Sequence, residues 1–302
     1  MQQIVIALDW TPNINHIGFF IANELNFYKQ LELSVDITDP SIDNYAVTPA
    51  KKVELGQADF ALCPMESILS YQTKSKPFNL IATATIYKED LSAIVTLKNS
   101  GLESPKDLDE KQYASYNARY EDGIVKQMIR NDGGKGSVKV NYPAKLGIWE
   151  TLLKGNADAT WIFMNWEGVQ AASKGVALNA FRMKDYQIPY SYSPVIATNA
   201  DLISGKEDSY KKFLNASKRG FLYAKDHPKE AAKILRKFIP NSDKDIDLIS
   251  CIEESYPYWG DSETWGIMEQ DNVEKYLKWL SDHQLETAIP AIDVIITNEL
   301  LN

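Results

Sequence analysis

The chain contains one short phrase twice. Leu55-Gly56-Gln57-Ala58-Asp59-Phe60 recurs about a hundred residues later as Lys154-Gly155-Asn156-Ala157-Asp158-Ala159. Each copy follows an apolar helical run and precedes a strand, so it reads as a helix ended by a glycine in the left-handed cap and followed by a buried strand. That is half of a β-α-β unit. Two such halves in 302 residues imply two similarly wound lobes, each large enough for its own core, with a ligand in the cleft between them.

The pattern around the two copies supports this. Residues 4–8 form a continuous apolar strand, 17–25 have helical spacing, 33–37 alternate, Pro49 opens a helix ending at Gly56, 60–62 form a strand and 67–71 begin another helix. Such alternation predicts a mostly parallel sheet covered by helices. Two β-rich runs, 80–87 and 93–97, lead out of the first lobe. In the second, 104–108 start a short helix, 113–116 and 138–140 are strands, 123–130 a helix, and 194–198 a return strand. The last hundred residues carry apolar stripes of helical period over 210–225, 229–238, 245–254 and 273–282, which pack around the first lobe. The expected fold is therefore α/β and two-lobed, each lobe a mixed, mostly parallel sheet flanked by helices. Residues 1–92 and 194–302 form lobe I and 93–193 lobe II, with hinge strands near 88–95 and 188–195.

Composition excludes several classes of function. A net charge of −9 argues against nucleic acid and anionic lipid, which require a basic face, and no apolar run approaches the ~18–20 residues of a membrane span. Cys63 and Cys251 are too isolated for a disulfide framework and read as small core residues. His16, His227 and His283 lack metal-ligand spacing, so no metal site is expected. Met1-Gln2-Gln3 runs directly into a strand, without a basic region or cleavage site, which favours an intracellular, cytoplasmic protein over a periplasmic one whose leader has been removed.

Ligands meet open α/β sheets at the carboxyl ends of strands. After the first strand stands Asp9-Trp10-Thr11-Pro12-Asn13-Ile14-Asn15-His16. Trp10 offers a stacking face, and Asp9, Asn13 or His16 hydrogen bonds to a polar heterocycle; alternatively Asn13 or Asn15 is a helix N-cap and Trp10 a core residue. Glu66, after the third strand, either accepts from a ligand amino group or simply favours a helix N-terminus. Tyr45 is a loop candidate. In the second half Asn117, Arg119 and Tyr120 follow a strand and open a helix, a position where anions are held, with Arg119 as the anion contact or as an exposed arginine. Trp166 and Glu167 follow the next strand, and Tyr190 and Tyr192 flank the predicted hinge. Aromatic residues beyond what a core needs suggest a cage for a flat ring. No Gly-x-Ser-x-Gly elbow occurs, and no histidine accompanies Cys63 in sequence.

At these residues the chain resembles the thiamine-pyrimidine family, which joins bacterial periplasmic proteins that bind thiamine pyrimidine precursors with fungal thiamine-pyrimidine synthases. The likeness rests on Leu8-Asp9-Trp10-Thr11-Pro12-Asn13 with His16, on Gly56-Gln57-Ala58-Asp59-Phe60, on Pro64-Met65-Glu66-Ser67, and on Trp161-Ile162-Phe163 with Trp166-Glu167. It extends more loosely to Trp265 and Lys278-Trp279-Leu280. The resemblance implies a type-II periplasmic-binding-protein fold whose lobes close on a pyrimidine. The synthases hold pyridoxal phosphate on a lysine after the third strand, beside a histidine consumed as substrate, and carry a cysteine-rich stretch in their second half. Here Cys63-Pro64-Met65-Glu66-Ser67 contains neither lysine nor histidine, and 189–194 contains no cysteine.

The expected function is a binding protein for a thiamine-related aminopyrimidine or similar heterocycle, without a cofactor. Trp10 and Tyr190 or Tyr192 would sandwich the ring, Glu66, Asn13 or Glu167 would read its amino group and ring nitrogens, and Arg119 would meet an anionic tail. An ABC transporter is the expected partner of an exported form. The alternative is an enzyme of thiamine-pyrimidine synthesis with pyridoxal phosphate as cofactor and His16 as its catalytic residue. A second alternative is a binder of another ligand such as a sulfonate.

Overall fold

A computed structural model describes residues 1–143 and 148–302, the side chains of 148–150 excepted. The chain divides into two compact units. Residues 1–90, 191–274 and 288–302 form the first, and residues 91–190 and 275–287 the second.

In the first unit β1 (Gln2–Ala7), β2 (Leu33–Thr38), β3 (Phe60–Cys63), β4 (Leu80–Thr85) and β10 (Val195–Asn199) form one sheet in the order β2-β1-β3-β10-β4. β1 runs parallel to β2 and β3, and β10 antiparallel to β3 and β4. In the second, β5 (Ser92–Leu97), β6 (Gln112–Ala114), β7 (Lys139–Asn141), β8 (Ala159–Phe163) and β9 (Leu178–Phe181) are ordered β7-β6-β8-β5-β9. β6 is parallel to β7 and β8, and β5 antiparallel to β8 and β9. The two orders superimpose term by term, so β6 is the counterpart of β1 and β8 that of β3.

The repeated phrase explains part of this equivalence. Thr48 caps the helix Pro49–Glu54 by accepting from Lys51 N at 3.3 Å, with proline at the first helical position. Gly56 ends that turn at φ +67° and Gly155 ends its counterpart at φ +70°, a conformation that costs a residue bearing Cβ about 1–2 kcal/mol. The N–H of Gln57 then returns to Lys52 O at 2.8 Å, as that of Asn156 returns to Thr151 O at 3.0 Å. These bonds satisfy carbonyls that a helix end leaves open. The alanine that follows, Ala58 or Ala157, is buried, and the chain enters β3 or β8.

The first core is an aromatic stack. Phe60 of β3 lies 4.5 Å, at 19°, from Phe213 of the long helix Ala200–Asp226, and Phe213 stacks in turn on Tyr28 at 5.6 Å. The Tyr28 hydroxyl reaches Ser217 Oγ at 2.8 Å, satisfying a buried polar group. Burial of the aliphatic positions supplies the rest, at about 25 cal/mol per Å² of apolar surface removed from water. The second core gathers Ala93, Val95, Leu152 and Ile162, with Leu97, Met164 and Leu178 against them.

Two features differ from the expectation. The helix Gln270–Asp282, whose stripe the sequence assigns to the first lobe, contributes its residues from Lys275 onward to the second unit. Tyr276 there meets Tyr190 edge-on at 5.4 Å. Periodicity identifies the apolar face of a helix but not the sheet that covers it. β9 was not anticipated, since Leu-Asn-Ala-Phe has no β-branched residue and borrows its strand form from pairing with β5.

Candidate functional site

The loop after β1 is built on a histidine with no exposed surface. His16 accepts the Asn13 N–H on Nδ1 at 3.1 Å, which places the ring proton on Nε2, and Nε2 donates to Asp9 Oδ1 at 2.8 Å. Asn13 is the N-cap of the turn Ile14–His16, its side chain accepting from Asn15 N at 2.8 Å, and the two reciprocal bonds form a capping box. The capping alternative therefore describes Asn13. Asn15, buried as well, accepts from the Tyr87 hydroxyl at 2.8 Å. The loop is rigid because every listed polar group in it is shared, and Asp9, about a quarter exposed, is held by a neutral imidazole with Oδ2 left without a protein donor among the described residues.

Trp10 is 39% exposed and is no core residue. Its neighbour is Tyr45, whose ring centroid lies 5.2 Å away at 55° and which is 46% exposed. Tyr45 has φ +62° and Asn44 φ +53°, and a bulky residue in the left-handed region carries backbone strain of roughly 1–3 kcal/mol. Three contacts fix it there: its N–H donates to Pro40 O at 2.8 Å, its hydroxyl bonds the side chain of Thr11, and Asp43 pairs with the nearly buried Lys52 at 2.9 Å. The lysine also holds the Asp43 carboxyl below the usual carboxylate range. Thr11 and Lys52, absent from the residues expected from sequence, position this aromatic face.

After β3, Glu66 lies buried in the first turn of the helix Met65–Thr73. Burial pushes the Cys63 thiol up, and the carboxylates of Asp9 and Glu66 add to the effect, which places both acids beside the ends of paired strands β1 and β3. Tyr192 departs from its expected role. It is buried, its hydroxyl accepts from Glu269 N at 2.9 Å and Asn272 Nδ2 at 3.3 Å, and its carbonyl accepts from Met65 N. It is a packing residue.

In the second unit, the loop after β6 holds its own anion. Glu121 is buried and accepts from the Tyr113 hydroxyl at 2.6 Å, Tyr116 N at 3.1 Å and Ala118 N at 3.2 Å, while Asn117 N donates to Ser115 Oγ at 3.0 Å. Asn117, at φ +59°, is a turn residue. Burial raises the Glu121 carboxyl above the usual glutamate range despite these donors. Arg119, expected as an anion contact, is paired with the buried Glu286 at 2.5 Å, and Tyr120, itself buried, donates to the same oxygen at 2.7 Å. Glu286 is 167 residues from Arg119, and no local pattern announces it.

At the end of β8 Trp166 is buried, so its indole belongs to packing. Glu167 accepts from Phe163 N at 3.0 Å, and burial with the Glu167 and Glu121 carboxylates pushes the Tyr116 phenol up. Tyr190, half buried, stands edge-on to Trp161 at 5.3 Å and 62° and to Tyr276. The carboxylates recur at corresponding places, Glu66 after β3 and Glu167 after β8.

Cys63–Ser67 contains no lysine, so the residues there do not fit a Schiff base with pyridoxal phosphate. His16 is enclosed, with both ring nitrogens engaged, which takes it out of a catalytic role. No step is derived through that cofactor. Among the described residues no group of three or more His, Cys, Asp or Glu is placed to hold a metal ion, and no helix is long and apolar enough to cross a membrane.

Two α/β units of matching strand order, with polar and aromatic side chains at their strand ends, define a type-II periplasmic-binding-protein fold. The periplasmic aliphatic sulphonate binding protein SsuA from Escherichia coli has that fold with a TM-score of 0.72 at 13% identity, over 98% of this chain and 92% of that one. The chain belongs to the NMT1/THI5-like family, whose profile matches residues 13–231. A Haemophilus influenzae protein named for thiamine biosynthesis is 26% identical over 245 residues, covering 80% of this chain and 74% of that protein. The formylaminopyrimidine-binding protein of Halalkalibacterium halodurans is 23% identical over 310 residues, 97% of this chain and 89% of that one.

Proposed function

We propose that the protein is a small-molecule binding protein for a thiamine-related aminopyrimidine. The observation that carries the reading is Asp9, held by the enclosed His16 and adjoining the exposed Trp10–Tyr45 face. A carboxylate with one oxygen available suits the N–H donors of an exocyclic amino group, and an indole beside it suits the flat ring. Glu66 adds a second acceptor at the neighbouring strand end. The formylaminopyrimidine-binding relative, aligned over nearly the whole chain, supports the ligand class.

A sulfonate is less well served, because Arg119 is already neutralised by Glu286. An ABC-type importer is the partner this reading carries. Isothermal titration with 4-amino-5-hydroxymethyl-2-methylpyrimidine, its formylaminopyrimidine analogue and thiamine tests it, together with Asp9→Asn. Binding of an aminopyrimidine that weakens at least tenfold in the variant supports the reading; aminopyrimidine affinity equal in both proteins removes Asp9 from the site.

A further inference from the structure

We infer that Glu121 is a specificity-determining residue, and that it restricts the protein to ligands bearing no phosphate or sulfonate group. The inference deepens the proposed function and rests on it.

β6 stands in its sheet where β1 stands in the other. The loop after β6 is therefore the topological counterpart of the loop that carries Asp9 and Trp10. It opens the helix Glu121–Asn131, a place where backbone N–H groups and the helix dipole ordinarily favour an anion. Here those donors are used by the chain itself. The two oxygens of Glu121 take the N–H groups of Tyr116 and Ala118, and Ser115 takes that of Asn117. The Tyr113 hydroxyl, completely buried, also points to Glu121 at 2.6 Å.

The nearby cation is committed as well. Arg119 is bound to Glu286, and Glu286 is fixed by the Tyr120 hydroxyl at 2.7 Å and by Thr287 N at 2.9 Å. Glu167, near Tyr116, adds a further carboxylate. An incoming phosphate would meet fixed negative charge and no open donor among these N–H groups, and like charges brought together are a means of rejecting the wrong ligand. A neutral alcohol or amine meets no such penalty.

The test compares 4-amino-5-hydroxymethyl-2-methylpyrimidine with its phosphate monoester by isothermal titration, on the wild-type protein, Glu121→Gln and Glu286→Gln, each checked by circular dichroism. The alcohol is expected to bind about a hundredfold more tightly than the ester in the wild type, and the ratio to narrow by about tenfold in Glu121→Gln. Glu286→Gln, which removes the charge opposite Arg119, should narrow it too. Equal affinities in the wild type overturn the inference and leave the binding reading standing. So does a large ratio that neither variant changes. Binding of neither compound overturns the reading and the inference together.

Discussion

Asp59 and Asp158 make the same clamp in two different sheets. The Asp59 carboxylate accepts Val5 N at 2.9 Å while its own N–H donates to Val5 O at 2.9 Å; Asp158 does both with Gln112, at 2.8 Å each. Each aspartate thereby ties the first residue before a strand to the strand beside it, β3 to β1 and β8 to β6. This is the physical content of the repeated Gly-x-Ala-Asp phrase.

The two clamps differ in surroundings, and that difference is measurable. Asp59 also pairs with Lys206 at 2.6 Å and lies within 3.3 Å of the Tyr210 hydroxyl, so Asp59→Ala leaves three groups without their acceptor. Charged hydrogen bonds of this kind contribute about 1.5–3 kcal/mol each in measured series. Asp59→Ala is expected to lower stability by about 2–4 kcal/mol and Asp158→Ala by about 1–2 kcal/mol in urea melts. Equal losses at the two sites would assign the cost to the strand clamp alone.

Tyr45 is held in a strained backbone conformation beside Trp10, which sets stability against binding. Tyr45→Gly relieves the left-handed φ but removes the ring and its bond to Thr11. Thermal melts should therefore show a stability within about 1 kcal/mol of the wild type, while aminopyrimidine affinity falls at least tenfold. Trp10→Ala should weaken binding by more than ~1 kcal/mol with little loss of stability, because the indole is well exposed. Unchanged affinity in either folded variant would take the aromatic face out of the ligand site.

His16 acts through Asp9. Replacing it by alanine strands the Asn13 N–H and leaves Asp9 Oδ1 without its donor, so stability should fall by about 1–3 kcal/mol. His16→Gln offers an acceptor and a donor of similar reach and should restore part of both stability and affinity. If His16→Gln binds ligand no better than His16→Ala, the imidazole has a role that hydrogen-bond geometry does not describe.

The strand-helix alternation, the repeated cap and the clusters after β1, β3, β6 and β8 were legible because each is a local pattern of a few residues. What was not legible depends on partners distant in sequence. Arg119 reads as an anion contact until Glu286 is brought to it, and Tyr192 reads as a cage wall until Glu269 and Asn272 take its hydroxyl. Trp166 and Tyr120 are buried for the same reason: a strand end offers aromatics to solvent and to the core alike, and only packing decides. Tyr45 could have been suspected from Asp43-Asn44, a pair suited to a turn, but its approach to Trp10 needs the Asp43–Lys52 bridge that the turn conceals.

Glu121 also fixes the sign of a pH effect on stability. Burial raises its folded carboxyl above the ordinary glutamate value of about 4.3, so the folded chain keeps a proton where the unfolded chain has released it. The contribution of this group is greatest below the unfolded value and is lost as pH rises through the folded one. Glu121→Gln does not titrate. The stability of Glu121→Gln minus that of the wild type should therefore increase as pH rises from about 4.3 through the raised value and then level off, in urea melts at closely spaced pH. Groups that titrate alike in both proteins cancel in the difference. A difference that instead decreases with rising pH would mean that the donors from Tyr113, Tyr116 and Ala118 outweigh burial, and that Glu121 is a depressed carboxylate held as a structural anion.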